Sequence, residues 1–210
     1  MRTSSAMRAA AAVALLLLAA CDPTAMGAAP DRATVSVAGR DVTILAPPGL
    51  CVDPASTNVS STGAFVLVSD CGLLGTRRVV AEGDTEETVG AVMTASVSAA
   101  QGEGPGSVAE VQRFAATAQG RAALGRSGRG DRVRIVATQT RRGVLYLLIE
   151  DRGPQPIAGI EPAFWRAFLD LRGQMTVLSV LGFEGAGVGP TEGLALLQRF
   201  ADSVQAANPA

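Results

Sequence analysis

VRIVATQTRRGVLYLLI, residues 133–149, decides the fold. Both halves are β-branched and aliphatic, and Arg141-Arg142-Gly143 lies between them, the spacing of two antiparallel strands on a tight turn. Downstream, MTVLSVLGF (175–183) reads as a buried strand. A glycine loop at 185–189 then leads to a helix that Thr191 can cap, with Leu194, Leu197, Phe200, Ala201 and Val204 on one face. Between them, 164–169 fits two readings. Apolar residues at 164, 165, 168 and 171 suit a helix, whereas a strand would pair across Arg172-Gly173.

Upstream of the hairpin, Ser107 and Glu110 form a capping box for a helix from Val108 to about Ala118. The glycine-studded stretch 121–130 reads as a mobile basic loop, and 152–162, with three prolines, as another loop. Strands are expected at 34–37 and 42–46, joined at Gly39-Arg40, and at 64–69 and 91–98. The expected fold class is α+β: an antiparallel sheet with two or three helices packed on it and a C-terminal amphipathic helix.

Composition removes several chemistries. The 210 residues contain 18 cations, all arginine, against 19 acids, with no histidine and no lysine. That excludes Ser-His-Asp and Cys-His relays, imidazole metal ligands, Schiff bases and the phosphate-loop lysine. A formal charge of −1 gives no footprint for nucleic acid, and nothing in the sequence asks for a cofactor.

The N-terminus reads MRTSSAMRAAAAVALLLLAACDP. Arg2 and Arg8 precede an apolar run from Ala9 to Ala20, about the length of a signal-peptide core and short of the roughly 20 residues of a membrane span. Leu18-Ala19-Ala20-Cys21 resembles the lipobox of bacterial lipoproteins. By that resemblance residues 1–20 are a signal peptide, Cys21 carries the acyl lipid, such as palmitate, and the protein is anchored in the periplasm. Asp22 after the cysteine resembles an inner-membrane retention signal. Cleavage would remove Arg2 and Arg8 and no acid, taking the formal charge from −1 to −3. Residues 21–32 read as a flexible tether and 33–207 as one α+β domain.

With Cys21 used for lipid, Cys51 and Cys71 remain, and an exported pair reads as a disulfide. A loop of that length stabilises by roughly 3 kcal/mol on the chain-entropy model. The start VTILAPPGLCVD (42–53), the central hairpin and the late apolar strand followed by one terminal helix resemble the PsbP/Mog1-type α/β/α sandwich. The resemblance spans about residues 33–207 and implies little about activity.

Among candidate sites, Gly185-Ala186-Gly187-Val188-Gly189-Pro190 lacks the register of a dinucleotide loop and reads as a turn. Glu82, Asp84, Glu86 and Glu87 lack calcium-loop spacing and read as a solvated acidic loop, so no metal site is assigned. Arg129-Gly130-Asp131 is a chance tripeptide. Asp53, Asp70, Asp151 and Asp170 have no spacing that selects a catalytic pair, and Trp165, Phe164 and Phe168 read as core. Arg121, Arg126, Arg129, Arg132, Arg134, Arg141 and Arg142 make the middle of the chain basic. The last five are the candidates for contact with an anionic partner.

These features favour a non-catalytic, lipid-anchored binding or adaptor module with an envelope protein partner. The rival readings are a carrier holding a small apolar molecule between sheet and helix, and a carboxylate- or Ser-based hydrolase. A carrier requires an apolar cavity, an adaptor an exposed patch, and a hydrolase a cleft with two perturbed carboxylates. Cys21→Ser should abolish acyl labelling and move the protein from the membrane to the soluble fraction; unchanged membrane retention would refute the anchor.

Overall fold

The computed structural model describes residues 29–74, 89–99, 107–126, 128–154 and 158–209. The lipobox, Cys21, Asp22 and the acidic run 82–87 lie outside the described residues. The elements, in chain order, are β1 (Arg32–Val37), β2 (Arg40–Leu45), β3 (Leu50–Val59), β4 (Gly63–Asp70), β5 (Ala91–Ser98), α1 (Val108–Ala115), α2 (Ala118–Leu124), β6 (Val133–Arg141), β7 (Val144–Asp151), β8 (Ala163–Leu171), β9 (Gln174–Gly182) and α3 (Pro190–Ala207).

Strands β3 to β9 form one sheet of seven in the order β3-β4-β5-β9-β8-β7-β6, antiparallel throughout. β1 and β2 form a separate hairpin. The α+β reading is therefore correct, with three helices. Each of the two-residue hairpin turns Ala38-Gly39, Arg142-Gly143 and Arg172-Gly173 has positive φ at both positions. That is the turn whose twist matches the flanking strands. It costs little at glycine and is accepted by the residue before it.

The sheet has two apolar faces. One packs α3 and the β1–β2 hairpin against Val66, Val68, Met93, Ala95, Tyr146, Trp165, Leu178 and Val180. The other packs α1 and α2 against Leu145, Leu147, Ile149, Phe164 and Phe168. The chain is thus a three-layer sandwich. Arg141 and Arg142 at the β6–β7 turn reach Asp202 on α3 at 3.2 and 3.3 Å. At the C-terminal end of α3, Asn208 donates from Nδ2 to Thr43 O at 2.7 Å and its Oδ1 accepts from Thr43 N at 2.9 Å. The side-chain amide acts as one more strand residue beside β2. Gln174 fastens the same hairpin through a buried 2.6 Å bond from Nε2 to Val37 O.

One ambiguity is settled and three expectations need correction. The ambiguous run at 164–169 is strand β8, buried on both faces, which erases the alternation that marks a strand. The stretch around Cys51, to which the sequence assigned no strand, is edge strand β3. Pro54 sits where the register shifts between Asp53 and Asn58, the kind of edge bulge that tolerates a proline. The expected basic loop contains α2, capped by Thr117 through its hydroxyl to Gly120 N. A Cβ on Gly120 would fall 1.8 Å from Phe114 O, so this glycine serves close helix packing. Finally, α3 starts with Gly189 at the cap and Pro190 in its first turn, ahead of Thr191.

The domain also begins slightly earlier than residue 33. Pro30 O accepts from Val52 N and Asp31 O from Ala46 N, both at 2.8 Å. Cys51 and Cys71 are joined by a disulfide with a Cα–Cα distance of 5.0 Å, stapling β3 to the residue after β4.

Phe200 is fully buried in α3 at the centre of the first core. Phe200→Ala should cost about 3–5 kcal/mol, measured by urea unfolding; a loss below 1 kcal/mol would contradict the packing described.

Candidate ligand-binding site

The five arginines singled out from the sequence do not form one surface. Arg129, Arg132 and Arg134 lie at one end of β6, and Arg141 and Arg142 at the other. Nine residues of strand at about 3.3 Å each separate the ends. Acids neutralise most of them. Arg129 pairs with Asp131 at 3.1 Å, folding the Arg-Gly-Asp tripeptide onto itself. Arg134 and Arg152 grip Glu150 at 2.6 and 2.9 Å, and Asp202 holds the pair at the turn. Of the five, Arg132 alone makes no close ion pair among the described residues, although its charge also acts on Asp131.

The four aspartates work as caps of turns. Asp53 accepts from Ala55 N and the Ser56 hydroxyl, Asp70 from Gly72 N, and Asp170 from Gly173 N. Asp151, fully buried, accepts from Arg126 N at 2.7 Å and Gly153 N at 2.8 Å. Among the described residues, each carboxyl with a shifted proton affinity is held below its ordinary range. Arg32 does this for Asp31, the Ser56 hydroxyl for Asp53, Arg129 for Asp131, and Arg134 with Arg152 for Glu150. These groups are anions at neutral pH; none of the four is poised to donate a proton. No group of three or more potential metal-ligating side chains occurs among the described residues.

The chemistry that stands out lies under α1 and α2. A cavity of about 230 Å³ opens there. The helices contribute Val111, Phe114, Ala115, Gly120, Ala123 and Leu124; the sheet contributes Phe168, Met175 and Val177. The single polar side chain in the lining is Arg166, from the middle of β8. Strand alternation puts Arg166 on the same face as Phe164 and Phe168, so a cation sits in an otherwise apolar layer. Its Nε donates to Ser179 Oγ at 3.3 Å and its Nη1 to Leu124 O, at the end of α2, at 3.2 Å.

A second guanidinium lies close by. Arg126 and Arg166 place their central carbons 4.5 and 5.2 Å from the Phe164 ring centroid, less than 10 Å from each other. Arg126 donates from Nη2 to the carbonyls of Glu161 and Pro162, both at 3.3 Å. Its Nε and Nη1 are buried with no hydrogen-bond partner. Desolvation lowers the proton affinity of both groups. The Arg126 charge lowers Arg166 further, to about 10, while Asp151 opposes the shift at Arg126. Neither guanidinium has a carboxylate within ion-pair distance among the described residues.

A larger, more open groove of about 550 Å³ lies on the other face, around the glycine loop and the start of α3. Trp165, expected in the core, lines it but is almost fully buried, and it donates from Nε1 to Pro190 O at 2.7 Å. The sequence pointed to Arg126 as one of seven basic residues. It gave no reason to single out Arg166, whose importance depends on which face of β8 it occupies.

With one apolar, cation-bearing cavity between a sheet and a helix pair, the architecture is that of an α/β/α sandwich able to enclose a small molecule. Comparison with protein-family models and with curated proteins gives no match. Among solved structures the chain is similar to the crystal structure of the Ran-binding protein Mog1p from Saccharomyces cerevisiae. The similarity has a TM-score of 0.44 at 14% identity, over 83% of this chain and 95% of that one.

Arg166 remains a cation at neutral pH in a site that favours the neutral form. Its folded value, about 10, is below the ordinary 12.5, so the unfolded chain holds that proton more tightly. The resulting cost is present at all pH values below about 10 and is relieved as pH rises from there. Arg166→Met should therefore raise the thermal midpoint by a few degrees at pH 7. A fall of several degrees would make Arg166 a structural cap of α2.

Proposed function

We propose that this chain is a lipid-anchored, non-catalytic binding protein of the bacterial envelope, and that its cargo is a small molecule held between the sheet and α1–α2. The observation that carries the reading is the apolar cavity with one cation in its lining. Such concave sites, apolar with a few placed polar groups, are the usual form of small-molecule pockets. The Leu18-Ala19-Ala20-Cys21 lipobox supports the anchor, and the Cys51–Cys71 disulfide supports an oxidising compartment such as the periplasm.

The adaptor reading keeps a place beside it. Its arginine candidates are largely spent on Asp131, Glu150 and Asp202. The edge strand β6 still offers half-exposed Val136 at the register shift between Ile135 and Ala137. An envelope protein that delivers or removes the cargo is the partner this arrangement suits.

Native mass spectrometry of protein isolated from its own membranes tests the cargo reading. Wild-type protein should carry an extra small mass that organic extraction releases. Ala123→Phe, which fills the cavity from the exposed side of α2, should lack it. No bound mass in the wild type, or an equal one in the variant, would overturn the reading.

A further inference from the structure

The charge distribution around the cavity identifies the class of molecule it takes. Two guanidinium groups, Arg126 and Arg166, share the Phe164 ring, and Asp151 is the one carboxylate among the described residues whose charge acts on either. Among the described residues the cluster is left with one positive charge more than it has negative. Cations taken out of water are normally paired, because desolvation is not otherwise offset.

Arg166 is also fixed in orientation. Ser179 Oγ and Leu124 O hold its Nε and Nη1, and its Nη2 has no acceptor among the described residues. Nη2 is not among the sealed, unpartnered atoms, in contrast to Nε and Nη1 of Arg126. Arg166 thus lines, with its guanidinium held by two of its nitrogens, a cavity whose other lining side chains are apolar, and Nη2 is the donor left to a ligand.

We infer that the cavity binds a medium-chain alkyl carboxylate, with its head on Arg166 Nη2 and its tail against Phe114, Phe168, Met175 and Val177. One carboxylate matches the single unpaired charge, and guanidinium–carboxylate bonds are the stronger, charge-assisted kind. The volume sets the tail length. A cavity of about 150 Å³ accepts a benzene ring, so one of about 230 Å³ holds a chain of roughly eight carbons. This inference rests on the cargo reading above and adds the head group and the length.

The test uses the full chain carrying Cys21→Ser, so that no attached acyl chain competes, and two probes with the same tail, octanoate and 1-octanol. Binding is read from the methyl NMR signals of Met175 and Val177. Octanoate should bind about 10- to 100-fold more tightly than octanol, the worth of one hydrogen bond to a charged group. Arg166→Met should remove that advantage and leave octanol binding unchanged; Ala123→Phe should abolish both. Equal affinities in the wild type would overturn the head-group assignment while leaving the cargo reading intact. No response to either probe would overturn both. Should Arg166→Met fail to fold, the octanoate-to-octanol ratio in the wild type and the Ala123→Phe variant still decide the question.

Discussion

Six successive residues of β7, Val144 to Ile149, are buried, so this strand can show neither face to water. A sheet built around such a strand needs cover on both sides, and the remaining architecture supplies it. α3 and the β1–β2 hairpin close one face; α1 and α2, inserted between β5 and β6, close the other. At roughly 25 cal/mol per Å² of apolar area, this two-sided burial is the main source of stability. The arginine–carboxylate pairs at the β6 ends are largely exposed and add little.

The two covers are unequal. α3 is an 18-residue helix that lies along its face with Leu196, Leu197, Phe200, Ala201 and Val204 inward. The opposite layer has only eight- and seven-residue helices, which meet where Gly120 lets their backbones approach. The space between them and β8–β9 is the cavity, and Arg166 lines it. The site is thus a product of incomplete cover over a sheet that demands it.

Much of this was legible in the sequence, and the failures share a cause. The hairpins, β4, β5, β9, α1, α3 and the Cys51–Cys71 pair all follow from periodicity, turn chemistry or parity of cysteines. β8 was ambiguous because burial on both faces removes the alternation that distinguishes strand from helix. α2 was missed because Gly120 and Gly125, which suggest mobility, are packing residues; a Cβ on Gly125 would meet Val133 at 2.4 Å. β3 was missed because Pro54 argues against a strand unless the strand is known to lie at an edge. The site was less legible than the fold. A charged side chain in an apolar strand has meaning only after the strand's face and neighbours are known, and those include residues on other elements, from Ser179 on β9 to Leu124, 42 positions away. The basic surface suggested by counting arginines dissolved partly for the same reason: Glu150 and Asp202 lie far from Arg134, Arg141 and Arg142 in sequence and beside them in space, whereas Asp131 neutralises Arg129 from two residues away.

The bond between Thr43 and Asn208 joins the first hairpin of the domain to the turn that ends its last helix, 165 residues apart. Val35, Val37, Val42 and Ile44 belong to a core that also needs Leu197, Phe200 and Val204. A nascent chain therefore emerges with its first hairpin unable to find its cover until α3 has been made. Folding cannot proceed from one end to the other. It must wait for α3, and closure between elements so remote in sequence makes for slow folding.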